Sequence, residues 1–128
     1  AANITFAAVL FYLGLVLWTI AYDTVYALQD KEDDALIGVK STARLFDDKV
    51  LTATFMFQIG ASMFLFLGAW GAGAGRIGAV LALAFLGHSI WQVIRLSPDR
   101  EARALGVFKS NVWLGVALVV LLFIAVLL

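Results

Sequence analysis

Long stretches without charge constrain this chain more than any other feature. Residues 4–22 run for nineteen positions with no Asp, Glu, Lys or Arg, and residues 50–70, 77–94 and 112–128 are equally free of them. A helix rises about 1.5 Å per residue, so nineteen residues cover roughly the 30 Å of hydrocarbon in a bilayer. No water is available there for backbone N–H and C=O groups, and a helix satisfies them internally. The expected fold is therefore all-α, a polytopic transmembrane helix bundle of about four spans in a single membrane domain over residues 1–128. Composition agrees, with 63% hydrophobic and 14% charged residues and a mean hydropathy of +0.99, against about a quarter charged in soluble domains. The formal net charge is zero and cysteine is absent. The first leaves no basic footprint for nucleic acid; the second excludes a disulfide framework or a thiolate zinc site.

The chain opens Ala-Ala-Asn-Ile, without Met and without a basic region before the first apolar run, unlike a signal peptide. It reads as a cut through a longer protein. The first span, Ile4 to about Tyr22, carries Trp18 and Tyr22 near its end, where they suit either the interfacial aromatic belt or packing against neighbouring helices. The second, about Val50–Trp70, has Gln58 and Ser62 as polar members, read as inter-helix hydrogen-bonding groups. Gly73, Gly75 and Gly78 formally match a Gly-x-Gly-x-x-Gly fingerprint, but they follow an apolar helix where a dinucleotide fold needs a strand. The third span, about Ile77–Ile94, holds His88 with Ser89 and Gln92, and the sequence shows no partner for the imidazole. Ser97-Pro98-Asp99 reads as Ser97 capping a short surface helix that ends at Asn111, with Pro98 at its first position. A last span, about Val112–Leu128, then reads as lipid-facing. Gly60, Gly68, Gly71 and Gly87 have the small-residue spacing of close helix packing.

Between the first two spans lies YDTVYALQDKEDDALIGVKSTAR, residues 22–44. If its start is helical, about 100° per residue puts Asp23, Asp30 and Asp34 in one stripe, with Tyr26 and Asp33 near it. Glu32 and Lys31 point away. Carboxylates on adjacent turns repel one another, so the stripe asks for a counterion, and Asp30 with Asp34 can hold one hard cation. The competing interpretation is an ordinary solvated loop. A calcium loop of the EF-hand type is excluded, because Ala35 stands where that loop needs Gly. Gly38 favours a turn, Ser41 or Thr42 can cap a short amphipathic helix bearing Leu45 and Phe46, and Lys40 offers an ammonium for phosphate charge. Lys40 and Arg44 also suit simple interfacial snorkelling.

The string Tyr22-Asp23-Thr24, Tyr26-Ala27, Asp30, Asp33-Asp34, Gly38 and Lys40-Ser41-Thr42-Ala43 resembles the second aspartate-rich motif of the UbiA family of membrane prenyltransferases, closest to its 4-hydroxybenzoate-prenylating branch. Phe108-Lys109-x-Asn111 followed by Gly115 resembles the family's last cytoplasmic segment. The resemblance implies a fold of roughly nine helices, of which this chain is the C-terminal part lacking the first aspartate-rich motif, so that residues 1–128 alone are expected to be inactive. It implies polyprenyl diphosphate and 4-hydroxybenzoate as substrates in ubiquinone synthesis, membrane lipid as the setting, and no nucleic acid. It further implies Mg2+ on Asp30 and Asp34, a catalytic role for Asp30, Asp34 and Lys40, and substrate or diphosphate contacts from Tyr22, Asp23, Tyr26, Lys40 and Ser41. Two alternatives stay open: another aromatic acceptor, or a cation-binding transporter or structural subunit.

Four spans put the 23–49 and 95–111 connections on one side. That side holds Lys31, Lys40, Arg44, Lys49, Arg95, Arg100, Arg103 and Lys109, against Arg76 opposite. The positive-inside rule then expects the acidic stripe on the cytoplasmic face of a bacterial inner membrane, or on the matrix face in mitochondria.

Overall fold

The computed structural model describes residues 5–28 and 49–127. Four helices make up this part of the chain: α1 (Phe6–Leu28), α2 (Val50–Gly71), α3 (Gly75–Leu96) and α4 (Arg100–Leu127). All four are long and apolar enough to cross a membrane. Each packs on its neighbours in the order α1, α2, α3, α4 and back to α1, giving an up-down-up-down bundle.

In lipid there is no water to squeeze out between helices, so close contact and hydrogen bonds must hold them together. The tightest contacts are at glycine. A methyl group at Gly68 would come within 2.7 Å of the Phe11 backbone nitrogen, and one at Gly14 within 2.9 Å of that of Leu65, so α1 and α2 meet nearly backbone to backbone. Gly60 and Gly71 make the expected close approaches, to Leu17 and Ala7, whereas Gly87 faces open space. The small-residue reading fails there because Gly87 lies on the outer face of α3.

The α2–α3 turn follows from Gly73, whose φ of +87° closes the end of α2. Ala74 N–H bonds to Ala69 O at 2.8 Å and Gly73 N–H to Trp70 O at 3.0 Å, the paired bonds of a Schellman turn. At the α3–α4 corner the expected cap is displaced. Ser97 still has right-handed helical angles and its hydroxyl bonds back to Val93 O. Asp99 is the cap, its Oδ1 accepting from Ala102 N–H at 3.1 Å.

The short surface helix and the last span are one continuous helix, α4. Ala104, Val107 and Asn111 are buried on it, so the segment before Asn111 belongs to the bundle and not to its surface. Leu114 and Leu118 also pack inward, while Trp113, Val119, Phe123 and Val126 face outward. Two apolar clusters result. One joins Val25, Leu28, Val50, Leu96, Ala104 and Val107; the other joins Leu65, Leu81, Phe85, Leu114 and Leu118. Along α2, α3 and α4, polar residues separate them: Gln58, then His88 with Gln92, then Ser110 with Asn111.

Candidate functional site

α1 continues beyond Tyr22 to Leu28, so Asp23 and Tyr26 lie on regular helix, as the stripe requires. Trp18, Tyr22 and Tyr26 recur every four residues and therefore share one face. That face meets α4. Trp18 stands edge-on to Tyr22 and to Phe85, each with centroids 5.3 Å apart, and Tyr22 to Phe108 at 5.9 Å. Tyr26 lies 4.8 Å from the same Phe108. Edge-to-face pairs of this kind contribute about 0.5–1.5 kcal/mol each beyond their burial. Trp18 is further tied to α4 by its indole Nε1–H, which donates to Asn111 Oδ1 at 3.0 Å. Trp18 and Tyr22 thus pack against neighbouring helices.

These rings form an aromatic mouth at the end of the bundle where α1 ends and α2 begins. A groove of about 300 Å³ is lined by Trp18, Tyr22, Phe108, Asn111, Val112 and Gly115. It shares Trp18, Val112 and Gly115 with a more apolar groove of about 480 Å³ that reaches Leu118 and Val120. Asp23, Tyr26 and Lys109 are exposed at the same end. A larger apolar cavity, about 640 Å³ and lined by Phe11, Tyr12, Gly68 and Leu122 among others, lies at the opposite end.

The structure therefore brings Tyr22 and Tyr26 together on Phe108, with Asp23 exposed between them in sequence. Asp30, Asp34, Lys40 and Ser41 lie outside the described residues, as do Gly38 and Thr42. Among the described residues, no group of three or more His, Asp or Glu is placed to hold a metal ion.

Sequence reasoning missed the polar layer as a unit. Gln58 donates through Nε2 to Phe85 O at 3.3 Å and lies 2.8 Å from His88 Nδ1. Its Oε1 accepts from Gln92 Nε2 at 3.2 Å. His88 Nε2 is 2.7 Å from Ser110 Oγ on α4. The inter-helix reading holds for Gln58. Ser62 instead bonds to Gln58 O in its own helix, because at one turn's spacing a serine hydroxyl reaches the preceding carbonyl. His88 does have partners, brought to it by α2 and α4 from far along the chain. Thr54 Oγ1, Ser89 Oγ and Gln92 Oε1 are buried without a hydrogen-bond partner among the described residues.

The model of the UbiA prenyltransferase family matches residues 1–115. A 4-hydroxybenzoate octaprenyltransferase of Shewanella woodyi is 35% identical over 105 residues, 82% of this chain and 37% of the relative. The protein of the same description in Shewanella oneidensis is 40% identical over 104 residues, 80% of this chain and 36% of its own length. That of Shewanella putrefaciens is 37% identical over 103 residues, with the same 80% and 36% coverage. The chain thus spans little more than a third of the length of these curated relatives. No solved structure matches it.

Proposed function

This chain belongs to the UbiA prenyltransferase family, and we propose that the protein carrying it transfers a polyprenyl group from polyprenyl diphosphate to 4-hydroxybenzoate, in the synthesis of ubiquinone. The observation that carries the proposal is the 35% and 40% identity to proteins described as 4-hydroxybenzoate octaprenyltransferases over four-fifths of the chain. The aromatic mouth supports it. Phenol and benzene rings from Tyr22, Tyr26 and Phe108 present π-faces to positive charge, and an allylic cation is such a charge.

In the proposed reaction the bond between the prenyl carbon and the diphosphate oxygen breaks, pyrophosphate leaves, and a ring carbon of 4-hydroxybenzoate bonds to the prenyl carbon with loss of the ring proton. Asp30 and Asp34 would hold magnesium, which when bound neutralises the departing pyrophosphate. Lys40 supplies a cation to phosphate oxygens that the metal leaves unbalanced. Ser41, Tyr22 and Tyr26 offer hydroxyls to the diphosphate end, and Asp23 adds a carboxylate beside them. The apolar groove past Gly115 and Leu118 continues from the mouth in the direction an isoprenoid tail would need. On this reading the mouth faces the cytoplasm across a bacterial inner membrane.

The test is prenyl transfer by the whole protein with Asp30→Asn and, separately, Asp34→Asn. Each is expected to lower the rate by about a hundredfold or more, the scale of lost electrostatic stabilisation of a leaving group. Activity within a few-fold of wild type would remove that carboxylate from the mechanism. Metal titration with and without pyrophosphate separates the transporter alternative, because an enzyme site should bind magnesium more tightly when pyrophosphate is present.

A further inference from the structure

A single string of side chains crosses all four helices. It begins at Gln92 on α3, passes to Gln58 on α2, returns to His88 on α3, and reaches Ser110 on α4. Ser110 Oγ–H donates to Val107 O, and the same carbonyl accepts from Asn111 Nδ2 at 3.3 Å. Asn111 Oδ1 then accepts from the Trp18 indole of α1. Gln58 is fully buried and Asn111 only 6% exposed.

The fixed ends of this string favour one arrangement of its protons. A backbone carbonyl only accepts and an indole N–H only donates. With the Gln58 NH2 donating to Phe85 O, that same NH2 faces His88 Nδ1. Nδ1 therefore accepts and carries no proton. Nε2 must carry it and donate to Ser110 Oγ, whose own proton goes on to Val107 O. Asn111 is fixed likewise, with NH2 toward the carbonyls of Val107 and Phe108 and oxygen toward Trp18.

We infer that His88, as the Nε2-protonated tautomer, is a positioning residue that locks Ser110 and so sets the Phe108–Asn111 turn of α4 against Trp18 and Tyr22 of α1. The string joins the polar layer to the aromatic mouth, since Phe108 touches both Tyr22 and Tyr26. His88 itself touches no ring of the mouth in this arrangement; it acts through Ser110. The inference stands on hydrogen-bond geometry, and only its kinetic consequence rests on the prenyl-transfer proposal.

The experiment is nitrogen NMR of the whole protein labelled at histidine, with the His88 signals identified by their loss in His88→Asn. The expected result is one protonated nitrogen at Nε2 and one unprotonated at Nδ1. A proton on Nδ1 would overturn the assignment. The indole N–H of Trp18, identified through Trp18→Phe, reports on the other end of the string. Ser110→Ala is expected to shift it and Ser110→Thr, which keeps the hydroxyl, to leave it in place. An indole unmoved by Ser110→Ala would overturn the positioning role. Where wild type shows prenyl transfer, Ser110→Ala is expected to raise the KM for polyprenyl diphosphate about tenfold at little cost in kcat, the scale of one lost buried hydrogen bond. An unchanged KM would confine the string to holding the bundle together. A wild type without activity would sink the prenyl-transfer proposal while leaving both NMR results to decide this one.

Discussion

A methyl group added at Gly68 and one added at Gly87 meet different surroundings, although both glycines belong to the same small-residue spacing. At Gly68 it collides with Phe11 at 2.7 Å, backbone included, and the two helices must separate. Gly68→Ala is therefore expected to destabilise by about 1–3 kcal/mol, the range for overpacking a tight contact. At Gly87 nothing lies within 4 Å, so Gly87→Ala should gain about 0.5–1 kcal/mol through helix propensity alone. Thermal unfolding of both variants in one detergent checks the pair, and equal effects would contradict the described packing. The contrast also marks what single residues disclose. Spacing alone shows where helices can approach, but only the rotation of α3 decides that Gly87 faces outward. Tyr22, Asp23 and Tyr26 were legible because helical periodicity continues through them. The meeting of Tyr22 and Tyr26 at Phe108 was not, since it depends on a residue more than eighty positions away.

At the scale of elements, the chain declares its helices more clearly than their ends. Apolar length identified all four spans, because a chain segment in hydrocarbon has no other way to satisfy its backbone. The break expected at Asn111 arose from charged and polar residues up to that point. Those residues do not stop the helix: Ser110 and Asn111 return their hydrogen bonds to Val107 and Phe108 of the same helix and to neighbouring helices. Val112 is exposed in the middle of α4, so its side chain adds little to the packing of the bundle. Val112→Pro should remove the bond to Phe108 O and cost about 3 kcal/mol, whereas a true boundary at that point would absorb proline. Thermal unfolding or yield of folded protein distinguishes these. The cap makes a second test by the same measurement. Asp99→Ala should lose about 1 kcal/mol by leaving Ala102 N–H unpaired, and Ser97→Ala, whose hydroxyl serves only a carbonyl already in a helix, should be close to neutral.

The whole molecule has two unlike ends. Lys49, Arg95, Arg103 and Lys109 lie toward the end of the bundle that holds the aromatic mouth, while among the described residues Arg76 stands alone by the α2–α3 turn. Each basic residue near an anionic membrane surface contributes about 1 kcal/mol, so the asymmetry favours one orientation by several such contributions. Counting four spans already puts the charged connections on one side, and the contacts of Ala7 with Gly71 and of Tyr22 with Phe108 agree with that. The chain contains no cysteine, which makes the orientation directly measurable by single cysteines placed in a whole protein freed of any others. Ala72 and Lys109 are exposed at opposite ends. A membrane-impermeant maleimide applied outside bacterial spheroplasts should modify Ala72→Cys and spare Lys109→Cys, with both modified once the membrane is opened. The reverse pattern would turn the mouth away from the cytoplasm. It would then be cut off from an acceptor dissolved in the cytoplasm, and the proposed reaction would lose that supply.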